Sequence, residues 1–155
     1  MYKDIQAINQ IFNNPVLFIS LTAWTLAQLI KVPIGYLMEH RVNWGLLFSS
    51  GGMPSSHSAL MASTTLAIGL YYGFETPLFA LAFAISMVVI YDAAGVRREA
   101  GRHAEKINIL INELFSGKQI SEEQLKEVIG HTPGQVLAGV VLGIVIPLLF
   151  FLIWK

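Results

Sequence analysis

The chain has 155 residues, of which 54% are hydrophobic and only 13% charged, against about 25% charged in a typical soluble domain. This length fits one domain, residues 1–155, and a mean hydropathy of +0.59 predicts an integral membrane protein. The absence of cysteine excludes disulfides, thiolate catalysis and cysteine-ligated metals, and the formal net charge of zero argues against nucleic acid as a partner.

Residues 1–14 lack the basic start and the long apolar run of a cleavable signal peptide, and Asp4 lies early in them. Ile5, Ile8 and Ile11 recur there at helical spacing. This pattern predicts a short amphipathic helix at the membrane interface. An exposed, frayed terminus is the alternative.

Four apolar stretches follow that are long enough, or nearly so, to cross about 30 Å of hydrocarbon, which takes roughly 20 helical residues. They are residues 15–38, 56–74, 77–95 and 134–154. The second is rich in Ser, Thr and Ala, so we predict that it packs inside the bundle. Gly139 and Gly143 give the fourth a small-residue face that permits close helix approach. The predicted fold is an all-α membrane bundle of about four transmembrane helices, and a homodimer is a further expectation for so small a bundle.

A polar insertion, residues 99–130, separates the third and fourth stretches. Its apolar residues at helical spacing are Ile107, Leu110, Ile111 and Leu114. They predict an amphipathic helix on the membrane surface. Ser121 followed by Gln124 resembles a capping box that begins a second short helix, and Gly130 can end it.

Four crossings would place both termini on one side of the membrane, and the loop 40–55 and the insertion on the other. The cations of the first side are Lys3 and Lys155. Those of the second are Arg41, Arg97, Arg98, Arg102, Lys106, Lys118 and Lys126, with Lys31 close by. The positive-inside rule therefore places the second side in the cytoplasm, and we expect a bacterial plasma membrane.

Every histidine and every arginine also belongs to this second side. His57 begins the second stretch, Arg97 and Arg98 close the third, and His131 begins the fourth. Residues far apart in sequence thus converge on one face of the membrane, as a site between helix ends requires.

The segment 54–57, Pro-Ser-Ser-His, allows two interpretations. Proline in a first turn and serine as an N-cap are ordinary helix-start chemistry. Free N–H groups and the hydroxyls of Ser55 and Ser56 at a helix N-terminus also suit a phosphate, and His57 beside them could protonate a leaving oxygen.

The cations and one carboxylate near this level are equally open. Arg97 and Arg98 either anchor a span by snorkelling or form a bidentate phosphate clamp. Lys31, within an apolar helix, and Arg41 either reach for the interface or bind the phosphate. Asp92, inside the third stretch, either pairs with such a cation or orients a catalytic histidine.

His131 is a candidate nucleophile, because its neutral imidazole could attack phosphorus while arginines hold the charge on the oxygens. His40 and His103 carry less weight, and His103 is expected to be exposed. The four histidines show no tight metal-ligand spacing, so we expect no metal and no other cofactor.

Together these segments resemble the type 2 phosphatidic acid phosphatase superfamily, which also contains bacterial acid phosphatases and vanadium haloperoxidases, and more closely its small divergent membrane branch. That pattern has a Lys and an Arg in a first motif, Pro-Ser-Gly-His in a second, and Ser-Arg followed by His-x-x-x-Asp in a third. Residues 54–57 match the second motif with Ser for Gly, and residues 131–139 match the end of the third.

The resemblance implies that His131 forms a phosphohistidine, that His57 is the general acid, and that Lys31, Arg41, Ser56 and Arg97 or Arg98 bind the phosphate without a metal. Several positions depart from the pattern. Gln135 replaces the Asp that orients the nucleophile, and Asp92 is a possible compensation. Arg41 is followed by Val rather than Pro, and His103, at the family's usual spacing after Arg97, has Ile107 at the Asp position.

The sequence therefore predicts a membrane phosphatase acting on a lipid phosphate or pyrophosphate, such as phosphatidylglycerophosphate or phosphatidate. The main rival is a degenerate member that binds lipid phosphate or acts as a scaffold, which Gln135 supports. A weaker rival is a small transporter that uses Asp92 and Lys31 as pathway residues.

Overall fold

The computed structural model describes residues 10–49, 51–114 and 131–153, apart from a few side chains within the helices. Its helices are α1 (Pro15–Glu39), α2 (Ser56–Tyr72), α3 (Pro77–Ala94), α4 (Val96–Leu114) and α5 (Pro133–Ile153), and a 3-10 helix lies at Trp44–Phe48. These ranges contain no strand, and the predicted all-α membrane bundle is confirmed.

The helix ends follow from local chemistry. α1 begins at a proline, and the Asn14 side chain caps it by accepting a hydrogen bond from the Leu17 N–H at 3.1 Å. It ends at His40, whose φ of 54° places it in the left-handed region that stops a helix. Thr76 caps α3 in the same way as Asn14 caps α1, and Gly73, with φ of 103°, ends α2.

Among the described residues, three stretches are long and apolar enough to cross a membrane: Pro15–Met38, Pro77–Ile111 and Pro133–Ile153. α2 has 17 residues, slightly fewer than the roughly 20 that a crossing takes. Its bounds agree with the second predicted span to within two residues, but the crossing itself stays a prediction.

α2 lies at the centre of the bundle, where it packs against α1, α3 and α5. Its buried residues include four with hydroxyl groups, Ser56, Ser58, Ser63 and Thr65. The prediction that this Ser-rich and Thr-rich helix packs inside is therefore confirmed.

Hydroxyl groups join α2 to its neighbours. Thr64 Oγ1 donates to Ser20 Oγ of α1 at 2.9 Å, and Thr65 and Ser86 of α3 share a hydrogen bond of 2.6 Å. Ser86 Oγ also donates to the Met61 carbonyl at 3.1 Å. Such interhelical hydrogen bonds take the place of the hydrophobic effect, which does not drive association between helices in lipid.

α5 runs parallel to α2 and packs closely on it through two glycines. A Cβ added at Gly143 would lie 2.5 Å from the Ala59 carbonyl oxygen, and one added at Gly139 would collide with the Ser55 carbonyl oxygen. The predicted small-residue face is confirmed. Because the two helices are parallel, their N-termini meet at one end of the bundle.

α4 packs against α3, from which only Gly95 separates it. The predicted helix over residues 107–114 is confirmed, but this helix begins much earlier, at Val96. Arg97 and Arg98 therefore lie in its first turn and do not close α3 as the sequence suggested. The remaining predictions for the N-terminus and the insertion concern positions outside the described residues: 1–9, Ser121, Gln124 and Gly130.

Candidate functional site

The start of α2 is capped by its own serines. Ser55 is the N-cap residue, and its hydroxyl accepts hydrogen bonds from the Ser58 N–H at 3.4 Å and from the Ser58 hydroxyl at 3.0 Å. Ser56 is fully buried, and its Oγ has no hydrogen-bond partner among the described residues. Since a buried hydroxyl without a partner is costly, Ser56 rather than Ser55 offers a hydroxyl to a ligand here.

α5 begins with a capping box formed by Thr132 and Gln135. Thr132 Oγ1 accepts a hydrogen bond from the Gln135 N–H at 3.4 Å, and Gln135 Oε1 accepts one from the Thr132 N–H at 3.1 Å. These two bonds hold the Gln135 side chain over the first turn of α5, beside His131, the residue that precedes Thr132.

His131 is buried against this side chain: it is 4% exposed, and its Nδ1 lies 3.2 Å from Gln135 Oε1. Because the Thr132 N–H can only donate, the Gln135 atom that it contacts is the carbonyl oxygen, which can only accept. His131 Nδ1 must therefore carry the proton in its own hydrogen bond to this oxygen. In the neutral ring the lone pair then lies on Nε2.

A backbone hydrogen bond joins the two helix starts: the Ser55 N–H donates to the Gln135 carbonyl at 2.9 Å. One turn further along α5, Gly139 lets the backbones approach each other closely. The first turns of α2 and α5 are thus held side by side, with their positive dipole ends at one point. Two such ends together favour an anion more than either does alone.

Lys31 reaches this region from α1. Its side chain is 1% exposed, and Nζ donates to the Ser49 carbonyl at 2.8 Å. A Cβ added at Gly52 would lie 3.6 Å from Lys31 Cδ, so the aliphatic part of the side chain lies along the loop before α2. The ammonium group points into this loop and is not held out in solvent.

His57 and Asp92 lie at the same end of the bundle, and both are half-buried. His57 is in the first turn of α2. Asp92 belongs to α3, which runs antiparallel to α2 with Ser86 against Met61. Asp92 lies six residues after Ser86 on α3, and Ser55 lies six residues before Met61 at the start of α2, so Asp92 is level with Ser55.

The other predicted site residues are either exposed or have side chains outside the described part of the structure. Arg41 is exposed after α1, and His40 and His103 are exposed as well. The side chains of Arg97 and Arg98 lie outside the described part of the structure. Within the part that is described, no group of three His, Asp or Glu side chains could hold a metal ion.

Two features of the site were missed by the sequence reasoning. The spacing of Thr132 and Gln135 is that of a capping box, so the role of Gln135 at the helix start was readable from the sequence. The contact between Lys31 and the Ser49 carbonyl had no sequence signal, because it depends on the path of a loop 18 residues away.

Comparisons with known proteins agree with this architecture. The family model described as the Divergent PAP2 family matches residues 12–146. The uncharacterized membrane protein YuiD of Bacillus subtilis (strain 168) is 37% identical over 150 residues, which covers 90% of this chain and 95% of that one. No solved structure matches the chain. The match covers α1 to α4 and most of α5, and the chain belongs to the divergent PAP2 family of membrane proteins.

Proposed function

We propose that the protein is a metal-independent lipid phosphatase that acts through a phosphohistidine on His131. The observation that carries this proposal is the position of Gln135 Oε1 between the Thr132 N–H and His131 Nδ1. It supports the tautomer that a nucleophilic histidine needs, with Nε2 unprotonated. The amide thus replaces the family's carboxylate in orienting the ring, although it stabilises an imidazolium less.

In the proposed reaction, the Nε2 lone pair of His131 forms a bond to phosphorus as the bond from phosphorus to the lipid oxygen breaks. The protonated His57 gives its proton to that oxygen. Water then attacks the phosphohistidine, the now neutral His57 takes a proton from it, and inorganic phosphate leaves. Nε2 is buried, so the substrate has to displace the groups that cover it.

Charge on the phosphate would be held by groups at the meeting point of α2 and α5. The Ser56 hydroxyl and the N–H groups of the first turns are suited to its oxygens. Lys31 would exchange the neutral Ser49 carbonyl for an anionic phosphate oxygen, which gives a hydrogen bond between two opposite charges and is therefore stronger. Phosphate binding by Arg41, Arg97 and Arg98, and an orienting or pairing role for Asp92, stay predictions from the sequence.

The expected substrates are lipid phosphates such as phosphatidate or phosphatidylglycerophosphate in the cytoplasmic leaflet. A site at the helix ends suits a phosphate at the membrane surface with its tail in the bilayer. The orientation follows from the positive-inside rule alone.

The test is phosphate release by the purified protein in detergent, with a chelator present, across a panel of lipid phosphates. We expect turnover by the wild type, an acid-labile phosphoprotein on rapid quenching, and loss of both in His131→Ala. The matched control is His103→Ala, because His103 is the histidine at the family's usual spacing and is exposed on α4.

Activity that survives in His131→Ala and is lost in His103→Ala would make His103 the nucleophile. A wild type that binds lipid phosphates but never releases phosphate would instead support the degenerate, binding-only member of the family.

A further inference from the structure

An apolar groove opens beside the proposed site, between α1 and α5. α1 contributes Ile30 and Ile34, the loop before α2 contributes Met53 and Pro54, and α5 contributes one face from Gly134 to Val145. None of the described residues that line it is charged or bears a hydroxyl group. Its volume of about 520 Å³ falls in the range of small-molecule sites.

The groove is continuous with the head-group site. Pro54 directly precedes Ser55, and Gly134 directly precedes Gln135, and these two neighbours share the hydrogen bond that joins α2 to α5. The mouth of the groove is therefore one residue from the proposed phosphate position, both in the loop before α2 and on α5.

The length of the groove matches one leaflet. Its α5 lining runs from Gly134 to Val145, eleven steps along the helix, which at a rise of 1.5 Å each is about 16 Å, or about half of the hydrocarbon thickness of about 30 Å. α1 and α5 both belong to stretches long and apolar enough to cross the membrane, so this depth lies within the hydrocarbon.

We propose that this groove holds the aliphatic tail of the lipid whose phosphate is bound at His131, an inference that rests on the proposed function. A lipid tail is already in an apolar solvent within the bilayer, so the hydrophobic effect contributes little to this binding. The groove acts by shape: it seats the tail and so places the phosphate against the nucleophile.

A second groove provides the control. It lies between α2, α3 and α5, has a volume of about 360 Å³, and includes Ile144 on another face of α5. On α2 it begins at Ala62, seven residues from Ser55, or about 10 Å along the helix. On α5, its Ile144 lies nine residues from Gln135, or about 14 Å along the helix.

The experiment compares tryptophan variants in the full-length protein on a series of lipid phosphates of increasing tail length and on a water-soluble phosphate ester without a tail. Ala138→Trp fills the groove near its mouth, Val145→Trp fills its far end, and Ile144→Trp fills the second groove. We expect Ala138→Trp to lower kcat/KM by about 10- to 100-fold for all long tails, the scale of a substrate misplaced by an ångström. Val145→Trp should affect only the longest tails, and Ile144→Trp none.

Hydrolysis of the water-soluble ester should be unchanged in all three variants, which also shows that each one folds. Equal losses on both kinds of substrate, equal effects of Ile144→Trp and Ala138→Trp, or a wild type indifferent to tail length would overturn the tail site while the phosphatase stands. A wild type that hydrolyses neither kind of substrate would overturn the proposed function, and the tail site with it.

Discussion

Replacing Gly143 by alanine should separate α2 from α5. The added Cβ would lie 2.5 Å from the Ala59 carbonyl oxygen, 2.8 Å from Ala62 Cβ and 3.1 Å from Ala59 Cα. None of these atoms belongs to a flexible side chain that could turn away. Since ordinary contacts of a Cβ begin at 3.4 Å, the helices would have to move apart by about 0.9 Å.

The magnitude follows from this displacement. A gap of about 0.5–1 Å forfeits a quarter to a half of the dispersion energy of each contact that it opens. Overpacking of this kind costs about 1–3 kcal/mol. At about 2–4 °C for each kcal/mol in a chain of this size, the unfolding temperature should fall by about 2–12 °C.

The assay is thermal unfolding of the purified protein in detergent, followed by tryptophan fluorescence. The matched control is the same change at Gly134 on the same helix, where an added Cβ meets nothing within 4 Å. Alanine has the higher helix propensity, so Gly134→Ala should leave the unfolding temperature unchanged or raise it. If Gly143→Ala were as stable as Gly134→Ala, the close packing of α2 on α5 would be refuted.

Three more predictions concern the site and its orientation. Lys31→Met should raise KM for a lipid phosphate because the buried cation is lost, whereas Lys106→Met, at an exposed position, should leave KM unchanged. Equal effects of the two substitutions in steady-state kinetics would exclude Lys31 from the phosphate site. Gln135→Leu should lower kcat by about 10- to 100-fold, as other losses of a histidine-orienting group do. Gln135→Glu keeps an acceptor and the capping box, so it should retain most of the wild-type rate, and an equal fall of kcat in both variants would exclude an orienting role for Gln135. The chain has no cysteine of its own, so single cysteines can report the orientation: Glu75→Cys in the α2–α3 turn should react with an impermeant maleimide on intact cells, and Asn43→Cys should react only after lysis. The reverse pattern would place the site on the outer face of the membrane.

Much of the fold could be predicted because the helix ends are marked by residues with a physical role. Asn14, Thr76 and Pro77 mark helix starts through capping and a fixed φ, and each lies where the structure begins a helix. The close face on α5 was readable from Gly139 and Gly143. These signals are local, so the sequence alone contains them.

The site was less predictable because its contacts join segments far apart in the chain. The spacing of Arg97 and Arg98 after α3 gave no indication that a new helix begins one residue after Gly95. Lys31 finds its partner on a loop backbone, which carries no residue-type signal. From the sequence, Gln135 is a departure from the Asp of the family's third motif that favours an inactive protein. Only the structure shows which of its side-chain atoms faces His131.

The double use of Gln135 ties chemistry to the integrity of a helix end. One oxygen atom both closes the first turn of α5 and sets the proton on His131. Helix ends open more readily than helix middles, at a small fraction of the global unfolding free energy. When this turn frays, His131 loses the hydrogen bond that fixes its tautomer and orientation, so the proposed activity should be lost on heating at temperatures below those that unfold the bundle.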